Sequence, residues 1–124
     1  MRTRLPVKLK VAVLSAALTF VILCLFAVVV GDLRLNPDSR EVFRGDRALE
    51  LTAREFELLE HLMRNERIVV SRQALLDEVW GYHPFAETNT VDVFISNLRR
   101  KLEAGGEPRV LHTMRGAGYV LREP

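Results

Sequence analysis

Twenty consecutive positions, Val11 to Val30, carry no charged side chain, and only Ser15, Thr19 and Cys24 temper their apolar character. A stretch that is apolar on every side has no face to show to water, so it must be enclosed, by a protein core or by lipid. As a helix it would extend about 30 Å, roughly the hydrocarbon thickness of a bilayer. Arg2, Arg4, Lys8 and Lys10 precede it, with no acid among them. A basic flank over residues 1–10 followed by such a run is the layout of a signal anchor. The sequence therefore predicts a single transmembrane helix over 11–30 and a single-pass membrane location. A cleaved signal peptide is the rival reading, but the run is long for that role and no clear small-x-small site follows it. Cys24 is the sole cysteine, so neither an intrachain disulfide nor a cysteine-built metal site can form.

The net charge of +2 conceals a division. Residues 31–87 hold 8 basic and 12 acidic side chains, whereas residues 88–122 hold 6 basic and 3 acidic ones. The C-terminal third is thus the part suited to an anionic partner.

Beyond Gly31 the pattern predicts an α+β unit over 31–124. Asp32 to Asn36 alternates and ends in the turn cluster Asn36-Pro37-Asp38; Glu41 to Arg44 and Arg47 to Leu51 read as two further strands of a small antiparallel sheet. Thr52-Ala-Arg-Glu55 is a capping box, and Phe56, Leu59, Leu62 and Met63 then recur at helical spacing until Asn65. Ser71 can cap a second helix carrying Leu75, Leu76, Val79 and Trp80, stopped at Gly81. A third helix starts near Thr88 to Thr90 and runs to about Ala104, before Gly105-Gly106. Arg109 to Met114 and Tyr119 to Arg122 flank Arg115-Gly-Ala-Gly118 as a hairpin. Three strands, three helices and a hairpin are the order of a winged helix-turn-helix with an extra N-terminal sheet.

At about 100° per residue, Val91, Ile95, Leu98 and Leu102 share one side of the third helix and define its buried stripe. The other side presents Asn89, Val93, Ser96, Asn97 and Arg100, with Thr90 and Lys101 at its margin. Amide, hydroxyl and guanidinium groups beside a valine methyl are what reading a major groove requires, although any amphipathic surface helix also turns polar groups outward. The hairpin adds to the case. Gly116 and Gly118 permit a tight tip that carries Arg115 outward, and an arginine on a narrow ribbon can enter a minor groove. Arg99, Lys101 and Thr113 could serve phosphates. Asp92, near the helix start, is read as structural.

Five stretches carry a resemblance: Leu51-Thr-Ala-Arg-Glu-Phe-Glu-Leu-Leu59, Val79-Trp-Gly81, Thr90-Val-Asp-Val93, Leu98-Arg-Arg-Lys-Leu102 and Thr113-Met-Arg-Gly-Ala-Gly-Tyr119. In this order they resemble the C-terminal effector domain of OmpR/PhoB-type response regulators, over Gly31 to about Leu121. The resemblance implies a sequence-specific, DNA-binding transcription regulator of the two-component type. It would bind double-stranded DNA at tandem half-sites, as a homodimer on the DNA, with no cofactor or metal. It implies base-facing positions for Val93 and Asn97 and the wing arginine for Arg115. Trp80, Thr90, Arg99, Thr113 and Tyr119 would bracket the phosphates or support them. The loop Gly81, Tyr82, His83, Pro84, Phe85, Ala86 and Glu87 would touch RNA polymerase. Asn89 and Asn97 stand where many relatives carry arginine, which implies a different sequence preference. A regulator lacking the phosphoacceptor receiver domain is therefore the expectation, and residues 1–30 resemble the first transmembrane helix of a sensor histidine kinase.

Three arrangements follow: a membrane-anchored regulator facing the cytoplasm, a rearranged kinase–regulator chimera, or an exported interaction module without access to DNA. The basic flank before the apolar run favours placing the folded part outside a bacterial cytoplasmic membrane, but Arg34, Arg40, Arg44 and Arg47 soon after it weaken that bias. Catalysis is not expected, since His61, His83 and His112 are scattered over a helix, a loop and a hairpin.

Overall fold

A computed structural model describes residues 28–81 and 87–124. The first described residues form a strand: β1 (Val28–Val30) turns at Gly31, φ +57°, into β2 (Leu33–Asn36), pairing Val30 with Leu33 and Val28 with Leu35. Period-two alternation sends Val28, Val30, Leu33 and Leu35 into the core and leaves Val29 on the outward face. β3 (Glu41–Arg44) and β4 (Arg47–Ala48) complete a four-stranded antiparallel sheet in the order β1-β2-β3-β4.

Two expectations for the N-terminal part are corrected here. Val28, Val29 and Val30 are not the end of a helix over 11–30, because they pair in antiparallel register with β2 and two of the three valines face the core. The rest of that run, with its basic flank, lies outside the described residues. Among the described residues no helix is long and apolar enough to cross a membrane, and the single-pass membrane assignment is withdrawn on these findings. The third strand is also shorter than Arg47 to Leu51. It ends at Ala48, after which Leu49 turns inward, buried, with its amide donating to the Val42 carbonyl.

Helix α1 (Ala53–Arg64) opens on the expected capping box: the Glu55 amide donates to the Thr52 hydroxyl and the Thr52 amide to Glu55 Oε1 at 2.9 Å. Together these satisfy two of the orphan donors at the helix start. Phe56, Leu59, Leu62 and Met63 face the core, and Leu58 joins them. Helix α2 (Arg72–Leu75) is capped by Ser71, whose hydroxyl accepts from the Ala74 amide, and continues as a π-helical turn over Leu76–Trp80 that stops at Gly81.

Helix α3 (Thr88–Leu102) is fixed by Val91, Ile95, Leu98 and Leu102, none more than 1% exposed. Burying each such side chain contributes roughly 1.5–3 kcal/mol. It ends two residues before Ala104, where two arginines of the sheet meet its last carbonyls. The buried Arg44 donates to the Leu102 and Pro108 carbonyls, and Arg47 to those of Lys101 and Leu102 while pairing with Glu107. Helix C-termini leave carbonyls without partners and carry partial negative charge, so the two guanidinium groups answer both needs.

The chain closes with β5 (Leu111–Met114) and β6 (Gly118–Leu121), an antiparallel hairpin. Val70, just before α2, pairs with Tyr119 through two backbone hydrogen bonds of 2.8 and 2.9 Å, which pins the hairpin to the turn between α1 and α2. The architecture is a winged-helix α+β fold with an N-terminal sheet.

Candidate nucleic-acid interface

The side of α3 opposite its buried stripe is open to solvent. Asn89, Ser96 and Arg100 are exposed, Val93 is 58% exposed, and Thr90 and Asn97 are half-buried at its edges. A largely exposed valine amid polar neighbours gains nothing from folding, and its methyls remain available to a partner. Arg100 Nη2 donates to Asn97 Oδ1 at 3.1 Å, one turn apart on this face.

The hairpin stands beside the helix and is tied to it from both strands. Arg99 donates through Nε to the Leu111 carbonyl (3.0 Å) and through Nη2 to the Thr113 hydroxyl (2.8 Å), so helix and β5 share one guanidinium. On β6, the Tyr119 hydroxyl donates to Asp92 Oδ1 at 2.6 Å, and Asp92 also accepts from Arg72 of α2. Burial first, and then the hydrogen bond to the Asp92 carboxylate, push the Tyr119 phenol up to about 12. Asp92 is therefore structural, as expected, but by joining α2, α3 and β6 rather than by answering the helix dipole. Between the hairpin and the starts of α2 and α3 runs a groove of about 510 Å³. Ser71, Arg72, Thr88, Thr113 and Arg115 line it.

The remaining candidate residues divide by what already holds them. Arg115 is exposed at the hairpin tip. Trp80 is half-buried, packed edge-on against Phe94 (centroids 5.2 Å apart) with Arg54 over its ring at 5.5 Å. Lys101 is half-buried and already partnered: its ammonium pairs at 2.8 Å with Glu55, which is 3% exposed. Burial pushes the Glu55 carboxyl up, but the Lys101 and Thr52 hydrogen bonds outweigh it and hold the group below the ordinary carboxylate range. On β5, burial and then Arg122, Arg109 and Arg99 lower the His112 pKa from its ordinary value. In the polymerase-loop expectation, Gly81 and Glu87 are exposed, and Tyr82, His83, Pro84, Phe85 and Ala86 lie outside the described residues.

Ser71, Arg72 and Gln73 escaped the reading of the sequence although they line the same groove as the wing. Their only signal was the Ser71 cap, which marks a helix start without showing what that start faces.

A family described as "Transcriptional regulatory protein, C terminal" matches residues 46–121. The response regulator MprA of Mycolicibacterium vanbaalenii is 50% identical over 109 residues, covering 88% of this chain and 43% of that protein. The chain thus spans less than half the length of the curated relatives it matches. Among solved structures, the Klebsiella pneumoniae RstA DNA-binding domain in complex with the RstA box is 31% identical, with a TM-score of 0.67, covering 77% of this chain and 95% of that one. The DNA-binding domain of CpxR from E. coli is 41% identical, with a TM-score of 0.63 and the same two coverages.

Proposed function

The chain belongs to the family of transcriptional regulatory protein C-terminal domains, and from that premise we propose that it regulates transcription by binding duplex DNA sequence-specifically, with α3 in the major groove and the Arg115 wing in the adjoining minor groove. The observation that carries the reading is the outer side of α3. Asn89, Val93, Ser96 and Arg100 are exposed there while the opposite stripe is sealed, and a basic hairpin is tied alongside. The family is not typically enzymatic, and the chemistry of this face is recognition.

Within this proposal Val93, Asn97 and Arg100 face base edges, Val93 offering methyls to a thymine methyl. Arg115 enters the minor groove, where a narrow A-tract concentrates negative potential. Asn89, Thr90, Ser96 and Thr113 take phosphates, whereas Arg72 across the groove is held by Asp92. Arg99, Lys101, Trp80 and Tyr119 act mainly from behind, since their polar or aromatic groups already hold the helix and wing together. Because β1 pairs with β2, the DNA-binding unit in this proposal takes in Val28–Val30. The crystallised RstA domain bound to its box supports duplex DNA as the ligand. The family resemblance supports direct-repeat half-sites occupied by two copies, and contact with RNA polymerase through residues 81–87.

Fluorescence anisotropy of the full chain on a panel of direct-repeat duplexes tests the proposal. Binding should fall steeply with salt as condensed counterions are released. Arg115→Ala should weaken every duplex by about tenfold, the loss of one charge-assisted contact. Absence of binding to any duplex at low salt would refute the function.

A further inference from the structure

The groove between the hairpin and the starts of α2 and α3 lies where a DNA backbone has to pass. With α3 in the major groove and the wing in the adjoining minor groove, the strand that separates the two grooves crosses the space between them. Most of what lines that space suits phosphate: Ser71, Thr88 and Thr113 bring hydroxyls, and Arg72 and Arg115 bring guanidinium groups. Among the described residues of the lining Asp92 is the one acid, and phosphate recognition has no use for it.

Both oxygens of that carboxylate are engaged. Arg72 donates from Nε to Oδ1 at 3.0 Å and from Nη2 to Oδ2, a two-pronged pair, and the Tyr119 hydroxyl donates to Oδ1 at 2.6 Å. Holding β6 to α3 needs only an acceptor for the Tyr119 hydroxyl, which an asparagine amide also has. The negative charge of Asp92 therefore serves something else, and its partner shows what: it neutralises Arg72. The pair stands partly in solvent, with Arg72 exposed and Asp92 half-buried, so it adds little to stability. Its effect is on the field of the groove, since with Arg72 cancelled Arg115 alone brings net charge to the described lining. We infer that Asp92 restrains sequence-independent binding: it holds Arg72 on itself and so withholds that guanidinium from the DNA backbone. A phosphate contact strengthens binding to every duplex alike and reads no base, so withholding one keeps the chain from settling on arbitrary sequence. This rests on the DNA-binding reading above and adds a restraint built into the same face.

Fluorescence anisotropy of the full chain over a salt series, on a direct-repeat duplex and on an unrelated one, tests the restraint. Asp92→Asn keeps an acceptor for Tyr119 but releases Arg72. It should bind both duplexes roughly tenfold tighter at low salt, and log affinity should fall more steeply with log salt by about 0.9, the slope of one further phosphate contact. Asp92→Asn combined with Arg72→Gln removes both charges together and keeps the net charge of the wild type. It should bind, and respond to salt, as the wild type does. A loss of about one contact in that double variant would mean that Arg72 already holds a phosphate. Unchanged or weaker binding by Asp92→Asn would mean that the carboxylate restrains nothing. Either result would overturn the restraint while leaving DNA binding intact. A crystal structure of the wild-type chain on duplex DNA needs no variant: Arg72 should remain on Asp92, and Arg72 seated on a phosphate oxygen instead would equally overturn the inference. Failure of the wild-type chain to bind either duplex at low salt would overturn the DNA-binding reading and the restraint with it.

Discussion

Gly116, in the turn of the wing, and Gly118, the first residue of β6, sit two residues apart, and an added methyl meets very different surroundings at each. Gly116 has φ +75° and nothing within 4 Å of where a Cβ would lie. Gly116→Ala should therefore cost only the left-handed backbone, about 1–2 kcal/mol. Gly118 has φ +141°, and its Cβ would fall 2.0 Å from the Val70 carbonyl oxygen and 2.7 Å from the carbon bonded to it. Carbon and oxygen cannot approach so closely, and the obstacle is backbone, so β6 must move away by more than about 1 Å. The two hydrogen bonds between Val70 and Tyr119 cannot survive that movement. At about 1 kcal/mol each, added to backbone strain of about 1–3 kcal/mol, their loss puts Gly118→Ala at about 3–5 kcal/mol. Urea unfolding of the full chain, followed by far-ultraviolet circular dichroism, measures both variants against the wild type. Gly118→Ala should shift the midpoint at least twice as far as Gly116→Ala and should also impair DNA binding, because the wing loses its tether. Equal shifts for the two would refute the close approach of Gly118 to Val70.

Tyr119→Phe removes the hydroxyl that joins β6 to Asp92 and should cost about 1–2 kcal/mol in the same unfolding assay. Its effect on DNA affinity should be smaller than that of Arg115→Ala. The Glu55 carboxylate contributes a pH dependence of definite sign. Its folded-state pKa lies below the ordinary 4.5, so the stability it supplies is fully present above that value and is lost as pH falls through the lowered one. Denaturation midpoints of Glu55→Gln should therefore fall less than those of the wild type on acidification below pH 4.5.

The helical core was legible in the sequence because one period governs it. Val91, Ile95, Leu98 and Leu102 follow the 3.6-residue repeat, and all four are buried; the Thr52 and Ser71 caps were equally visible, since a cap is a local event of three or four residues. The first strand was not legible. Val28 to Val30 continue an apolar run without a break, and hydrophobicity alone does not separate a strand of three valines from the end of a helix. Of the interface, the outward set on α3 and the exposed arginine of the wing could be projected from spacing. Long-range partners could not: Lys101 looks free on a helical projection, yet its acid lies 46 residues earlier in the chain. Arg44 and Arg47 at the end of α3, and Arg72 across the groove, were hidden for the same reason.

The central claim is that DNA lies against the outer side of α3 and the wing. Photo-cross-linking tests it most directly, with a photoreactive side chain placed in the full chain at Ser96, at Ala117 or at Val29, all exposed positions. Bound duplex should be captured from Ser96 and from Ala117 and not from Val29, on the outward face of the sheet. Capture from Val29 with none from Ser96 or Ala117 would contradict the account.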